Sequence, residues 1–273
     1  MSDIVKLENV SFINDDYKVL DDISLEIKKN SMTCIIGVSG SGKSTLIKLM
    51  AGLVLPTSGN IMIHGFEIHK LHEKALLSLR RKVSFVFQNS ALISNLSIKE
   101  NVMLPLNFHF PKLKQKEKNE MAEDFLSKVG MKDSMNQRPA QLSSGEQKLV
   151  AVVRGLITKP ELIFFDEPLG SLDSTSAKIV TNMIKEYSDK EKTSTVIVTY
   201  SKDIISRLSD ALVVIDNKKV STFDRKNRNY NYDSSIKDIE LLNDIFTNSY
   251  SYNNGAVKES QNEKINSSNL DEF

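Results

Sequence analysis

Cysteine is almost missing from this sequence: Cys34 is the one thiol in 273 residues. A single thiol cannot close an internal disulfide, so nothing points to a small secreted scaffold held by disulfides. Its apolar neighbours give Cys34 a buried packing role. Charge of one sign is lacking as well. Lys and Arg number 36 against 35 Asp and Glu, a formal net charge of +1. That balance removes the electrostatic case for nucleic acid as the main partner. Long apolar runs are absent, and none approaches the ~20 residues that cross a bilayer. The opening MSDIVKLENV has no basic stretch followed by an apolar one, so no secretory leader is expected. These absences lead to the expectation of a cytoplasmic chain, or one held peripherally on the inner face of the cell membrane through a partner. With 40% hydrophobic and 26% charged residues, the composition is that of an ordinary globular protein.

What is present is organised around GVSGSGKS, Gly37 to Ser44. It lies between the apolar run Met32–Ile36 and the helical pattern Thr45–Met50. The spacing matches G-x-x-x-x-G-K-[ST], the phosphate-binding loop between a buried strand and a helix N-terminus. Gly37, Gly40 and Gly42 let the backbone approach a phosphate closely. Ser39, Ser41 and Thr45 complete the cradle, whose N–H groups and helix dipole attract anionic oxygens. Lys43 is placed to reach the β- and γ-phosphates, and the Ser44 hydroxyl to take one Mg²⁺ position. Nucleotide binding is therefore expected, with ATP and Mg²⁺ as ligands.

Around this loop the chain alternates strands and helices. Short strands are read at Ile4–Val10 and Ile23–Ile27 about a polar turn, then at Asn60–His64 and Lys82–Phe87. From Ile98 the pattern turns helical and charged. Ser97 with Glu100 forms a capping-box signature, and Pro105 and Pro111 are expected to break the region into pieces. KLKQKEKNE, residues 112–120, reads as a solvated helix face. A helical subdomain is expected over about 90–155. The core then resumes with Glu161–Phe165, a helix near 175–187, a strand Ser194–Thr199, a helix Lys202–Leu208, and strands Ala211–Ile215 and Lys219–Phe223. Strands alternating with helices argue for a parallel sheet buried on both faces. The fold class is α/β: a phosphate-loop NTPase core with a mixed sheet flanked by helices, an N-terminal antiparallel β part and an inserted helical subdomain. The domain spans 1–224. A tail, 225–273, follows, with one amphipathic helix expected at Ile236–Phe246, either docked or flexible, and disorder beyond Thr247.

Two further elements carry chemistry. Leu162–Phe165 is an apolar strand ending in Asp166 and Glu167. Asp166 would hold Mg²⁺ through water, and Glu167 would act as general base on the attacking water. Gln88, at the end of another strand, faces the crevice in which open α/β sheets bind ligands, and is a candidate for Mg²⁺ or water. QLSSGEQ, residues 141–147, places a Ser–Gly loop at a helix N-terminus, a second anion site. Two phosphate elements on one chain suggest a head-to-tail homodimer with each nucleotide between the two copies.

In this order and spacing, these elements resemble the ATP-binding subunits of ABC transporters over about residues 3–224. The resemblance makes Gly37–Thr45 the Walker A loop, Gln88 the Q-loop glutamine and Leu142–Gln147 the signature, with Ser143 and Gly145 in place. Asp166 and Glu167 become the Walker B aspartate and catalytic glutamate, and Asp173 closes the D-loop Ser171-Leu172-Asp173. It implies ATP hydrolysis, nucleotide-driven dimer closure and a transmembrane permease contacted by Gln88 and the helical subdomain.

The chain departs from the family's pattern at four places. Tyr200 stands where a histidine is usual and would offer its hydroxyl to the γ-phosphate as a catalytic group, although a phenol is neutral at pH 7 and longer than an imidazole. Ser144 replaces a signature glycine, and Leu149 the arginine that follows. The adenine-stacking aromatic falls on Asn14, with Phe12 and Tyr17 nearby. A slow ATPase serving as a nucleotide-gated regulatory module, or a non-transport ATPase of this fold, are the alternatives. The stretch Asn89–Leu106 looks like ATPases of lipid-transport systems that work with MCE-domain proteins. Similar stretches occur in lipoprotein-release, macrolide-efflux and cell-division ATPases. Phospholipid or another hydrophobic cargo is thus expected, with an MCE-domain protein as a further partner.

Overall fold

The computed structural model describes residues 2–224 and 229–231. Strands β1 (Asp3–Asn14) and β2 (Tyr17–Lys28) form a hairpin, followed by β3 (Met32–Ile36), α1 (Lys43–Met50), β4 (Ser58–Ile63) and β5 (Phe66–Glu67). Next come α2 (Glu73–Arg80), β6 (Val83–Val86), α3 (Ile98–His109), α4 (Gln115–Lys128) and α5 (Ser144–Leu156). The chain then continues through β7 (Leu162–Asp166), α6 (Ser174–Glu191), β8 (Ser194–Val198) and α7 (Lys202–Leu208). It finishes with β9 (Ala211–Asp216), β10 (Lys219–Asp224) and β11 (Asn229–Asn231).

Two sheets result. The smaller is antiparallel, in the order β2-β1-β4-β5. Its strands alternate: in β2, Ile23, Leu25 and Ile27 are buried while Glu26 and Lys28 face solvent, so one face alone seeks a core. The larger sheet runs β11-β10-β9-β3-β8-β7-β6. Strands β9, β3, β8, β7 and β6 are parallel, and β10 and β11 turn antiparallel at one edge. Every residue of β3, β7 and β8 is buried, as a sheet covered on both faces requires.

Helix α1 lies in the core that joins the two sheets. Leu46, Ile47, Leu49 and Met50 are wholly buried in one cluster with Val5 and Ile61 of the small sheet and Phe164 and Val198 of the large one. Burial of such side chains contributes about 1.5–3 kcal/mol each, which anchors the helix that carries the phosphate loop.

The helical segment α3–α5 leaves the large sheet after β6 and returns to it at β7. Pro105 does not break it: it lies inside α3. The ring costs the helix one backbone hydrogen bond, but Ile98, Val102, Met103 and Leu106 are buried on one side, and that packing carries the helix through. The Ser97–Glu100 capping box is formed. Within 112–120 most side chains are exposed, but Lys118 is buried and donates to Asn107 Oδ1 at 3.1 Å across α3 and α4. Helix α2 and the short strands β5 and β11 were not legible beforehand. Strand β11 extends the large sheet past residue 224, and the expected helix Ile236–Phe246 lies outside the described residues.

Candidate functional site

Four loops leave the carboxyl ends of four neighbouring parallel strands, the edge at which open α/β sheets bind ligands. In sheet order, β3 runs into Gly37, β8 into Tyr200, β7 into Glu167 and β6 into Gln88. Residues far apart in sequence are thereby set side by side.

The loop 37–42 leaves the buried end of β3 at Gly37 and is exposed from Val38 to Gly40, and its glycines are demanded by geometry at one place above all. Gly37 has φ 151°, and a Cβ there would lie 2.4 Å from the Ile215 carbonyl oxygen and 2.8 Å from Ser41 Oγ. Ser39 and Gly40 are exposed at the loop's crest, Gly42 caps α1, and Thr45 is half-buried in its first turn. The Lys43 ammonium donates to the carbonyls of Gly37 and Val38 at 2.8 and 2.7 Å. The Tyr200 ring covers it, with a centroid 4.8 Å away. Ser41 Oγ is buried with no hydrogen-bond partner among the described residues. A buried hydroxyl of that kind, just before a helix N-terminus and beside a lysine ammonium, suits a phosphate oxygen.

The acidic pair sits beside the loop. The Ser44 hydroxyl donates to Asp166 Oδ1 at 3.1 Å. Burial raises the Asp166 carboxyl above its ordinary value, against the Ser44 hydrogen bond and the nearby lysines 48, 148 and 43. Such a desolvated carboxylate beside a hydroxyl is a donor set for a hard, oxygen-seeking cation. The next residue, Glu167, has left-handed backbone (φ 50°), a conformation uncommon for a side chain of this size. Its amide is held by the Val198 carbonyl at 3.0 Å, and its Oε2 accepts from Gln88 Nε2 at 2.9 Å. Gln88 and Glu167 thus meet across adjacent strand ends.

Ser143, Gly145 and Asp173 form a separate group. Ser143 caps α5: its hydroxyl accepts from the Glu146 amide and donates to the Glu146 carboxylate at 2.8 Å. The Ser143 amide donates to the same carboxylate at 2.9 Å, and that contact first, the hydroxyl's second, holds the Glu146 carboxyl below the usual range. Asp173 caps α6 through the amides of Thr175 and Ser176. The two caps lie close, because a Cβ on Gly145 would sit 3.3 Å from the Ser171 carbonyl. No hydrogen bond links this group to the Lys43–Asp166 group among the described residues. Of the departing positions, Leu149 is buried, Phe12 packs against the core, and Tyr17 is exposed with the Lys218 ammonium 4.7 Å from its ring centroid. Tyr17 and Val19 alternate onto the same face of β2, and Val19 lies over Gly42.

One residue of the site was missed. Lys148, in the first turns of α5, is 3% exposed and donates to the carbonyls of Phe87, at 3.3 Å, and Gln88. Burial lowers its ammonium below the ordinary lysine value, opposed by Asp166 and Glu167.

The family model described as ABC transporter matches residues 20–170. The chain belongs to the ABC transporter family. It is an ATP-binding subunit of that family, whose members are ATPases. The lipoprotein-releasing system ATP-binding protein LolD of Aquifex aeolicus (strain VF5) is 39% identical over 227 residues, 82% of this chain and 100% of that protein. The macrolide export ATP-binding/permease protein MacB of Campylobacter fetus subsp. fetus (strain 82-40) is 33% identical over 93% of this chain but only 41% of its own length. Among solved structures, the dimeric post-hydrolysis state of the ATP-binding cassette MJ0796, bound to ADP and Pi, has a TM-score of 0.74 at 30% identity. The match covers 79% of this chain and 96% of that one. No helix among the described residues is long and apolar enough to cross a membrane.

Proposed function

We propose that residues 1–224 form the motor of a membrane transporter, in which ATP binding closes a homodimer and hydrolysis reopens it. The observation that carries this is the convergence of Lys43, Ser44, Gln88, Asp166, Glu167 and Tyr200 on adjacent parallel strand ends. The loop of Gly37, Ser39, Gly40, Ser41, Gly42, Lys43, Ser44 and Thr45 takes the phosphates. The buried Ser41 hydroxyl and the close approach at Gly37 support that fit. Ser44, Asp166 and Gln88 would hold Mg²⁺, which neutralises charge on the phosphate oxygens. Glu167, aimed by Gln88, draws the proton from the attacking water. Tyr200 covers Lys43 and can offer its hydroxyl to the terminal phosphate. Tyr17 is the exposed ring best set for the base.

Ser143, Gly145 and Asp173 stand apart from this group within one chain, which suits a site completed by a second copy. MJ0796 is itself described as dimeric. The helical segment then faces a permease at the membrane's inner surface, and the chain is peripheral there. The names of LolD and MacB speak of lipoprotein release and macrolide export, and both favour a hydrophobic or lipid-linked cargo. A phospholipid cargo with an MCE-domain partner rests on the stretch Asn89–Leu106 alone. One observation favours the slower, regulatory reading: the ring over Lys43 belongs to a tyrosine.

The deciding experiment is Glu167→Gln in the full chain. It should bind ATP, dimerise in its presence and lose at least ~100-fold in turnover, the scale of general-base loss. Turnover at the wild-type rate would remove Glu167 from the chemistry.

A further inference from the structure

The segment between Gln88 and α3 has little regular backbone pairing of its own. Ser90 and Ala91 both have left-handed backbone, φ 60° and 48°, though neither is glycine. Such conformations persist where the surroundings impose them. Here two cations of one helix hold the carbonyls, one at Phe87 and Gln88 and the other at Ser90 and Ala91 themselves. Lys148 of α5 donates to the carbonyls of Phe87 and Gln88. Arg154, two turns on, donates to those of Ser90 and Ala91 at 2.7 Å each. The helix can come this close because of Gly155: a Cβ there would lie 2.5 Å from Val86 Cγ2. Further along, the buried Asn101 of α3 takes over, accepting from the Ile93 amide and donating to the carbonyls of Ile93, Leu96 and Ser97.

Among the described residues, strand β6, which delivers Gln88, stands at the sheet edge and pairs with β7 alone. Beyond Val86 the chain is therefore held by α5 more than by the sheet. The opposite end of α5 begins at Ser143, so one rigid helix spans from the signature to the segment that follows Gln88.

We infer that Lys148 and Arg154 are positioning residues: they strap Phe87–Ala91 to α5, so that Gln88 and the signature helix move as a single body and Gln88 is aimed at Glu167. The inference rests on the reading of Gln88 proposed above, and it accounts for a buried lysine that the chemistry itself does not use. Carbonyl oxygens bonded to a desolvated cation are strong, charge-assisted acceptors, and removing that cation leaves them unsatisfied.

The test uses the full chain. In Lys148→Met and in Arg154→Met, amide hydrogen exchange across residues 87–96 should quicken by about tenfold or more, while α1 keeps its protection. Lys148→Gln replaces the methionine variant if that chain does not fold. Lys148→Arg, which retains a cation, should stay near wild type. In Lys148→Met, kcat should fall roughly tenfold with KM for ATP within about threefold. Added to Gln88→Ala, the same change should cost no further turnover, because residues on one route are not additive. Unchanged exchange in 87–96 overturns the strap. Losses that multiply in the double variant overturn the route through Gln88. If Gln88→Ala alone turns over at the wild-type rate, the reading of Gln88 fails, and the exchange measurement by itself decides the strap.

Discussion

Tyr200 separates two ways in which one side chain can serve this site. Its ring lies over the Lys43 ammonium, a contact worth about 0.5–2 kcal/mol, while its hydroxyl is free to reach outward from an exposed position. Tyr200→Phe keeps the ring and removes the hydroxyl. We expect ATP affinity to hold within about twofold and kcat to drop roughly tenfold, the loss typical of one hydrogen bond to a developing charge. Single-turnover assays with a binding titration check both. At this scale much was legible. Loop glycines, Lys43, Ser44 and the Asp166–Glu167 pair are fixed by spacing within a few residues of chain. Lys148 was not legible. A lysine before the apolar run Leu149–Val153 reads as a snorkelling surface residue. Only the meeting of α5 with the end of β6 turns it inward.

Helix starts are the clearest case of sequence dictating an element. Ser97 with Glu100, and Ser143 with Glu146, form the same reciprocal cap at the first turns of α3 and α5. In each, the serine takes the amide three residues on, and the glutamate returns to the serine's own amide. Ser97→Ala and Ser143→Ala should each cost about 1 kcal/mol, read as a lower urea midpoint with unchanged slope. The caps hold both glutamates below the ordinary carboxylate range, the backbone contact leading. Their folded values are depressed, so their stabilisation is complete above about pH 4.3 and is lost as pH falls through the lowered values. Alanine keeps the backbone contact and removes only the hydroxyl's, so the double serine variant should lose slightly less stability than wild type between neutral pH and the acid limb. Pro105 shows the limit of local reading: one missing hydrogen bond is outweighed by four buried side chains on the same face. Helix α2 failed to show because it is short: Ala75, Leu76 and Leu79 turn inward, but eight residues fall below the window that separates a helix from a loop. Strand β5, at two residues, is shorter than any pattern.

For the whole molecule, the alternation of strands and helices announced a parallel sheet, and apolar runs at 32–36, 162–165 and 194–198 located its centre. The order β3-β8-β7-β6 could not be read, because nothing local says which strands become neighbours. That order is what brings residues 43, 88, 166 and 200 together. Binding at such a site should stabilise the whole chain, since α1 is packed into both sheets. At ATP concentrations 100-fold above Kd the gain is about 2.7 kcal/mol, or several degrees in Tm. Lys43→Ala should abolish that shift and, because it also removes the hydrogen bonds to the Gly37 and Val38 carbonyls, lower the ligand-free Tm by several degrees, checked by thermal melts with and without Mg²⁺ and ATP.

The same burial of α1 divides the site like a bench vice. The jaw at Lys43 is bolted to the core that joins the two sheets, whereas the jaw at Gln88 hangs from an edge strand and is carried by a helix. A grip of this kind senses its contents at one side and travels at the other.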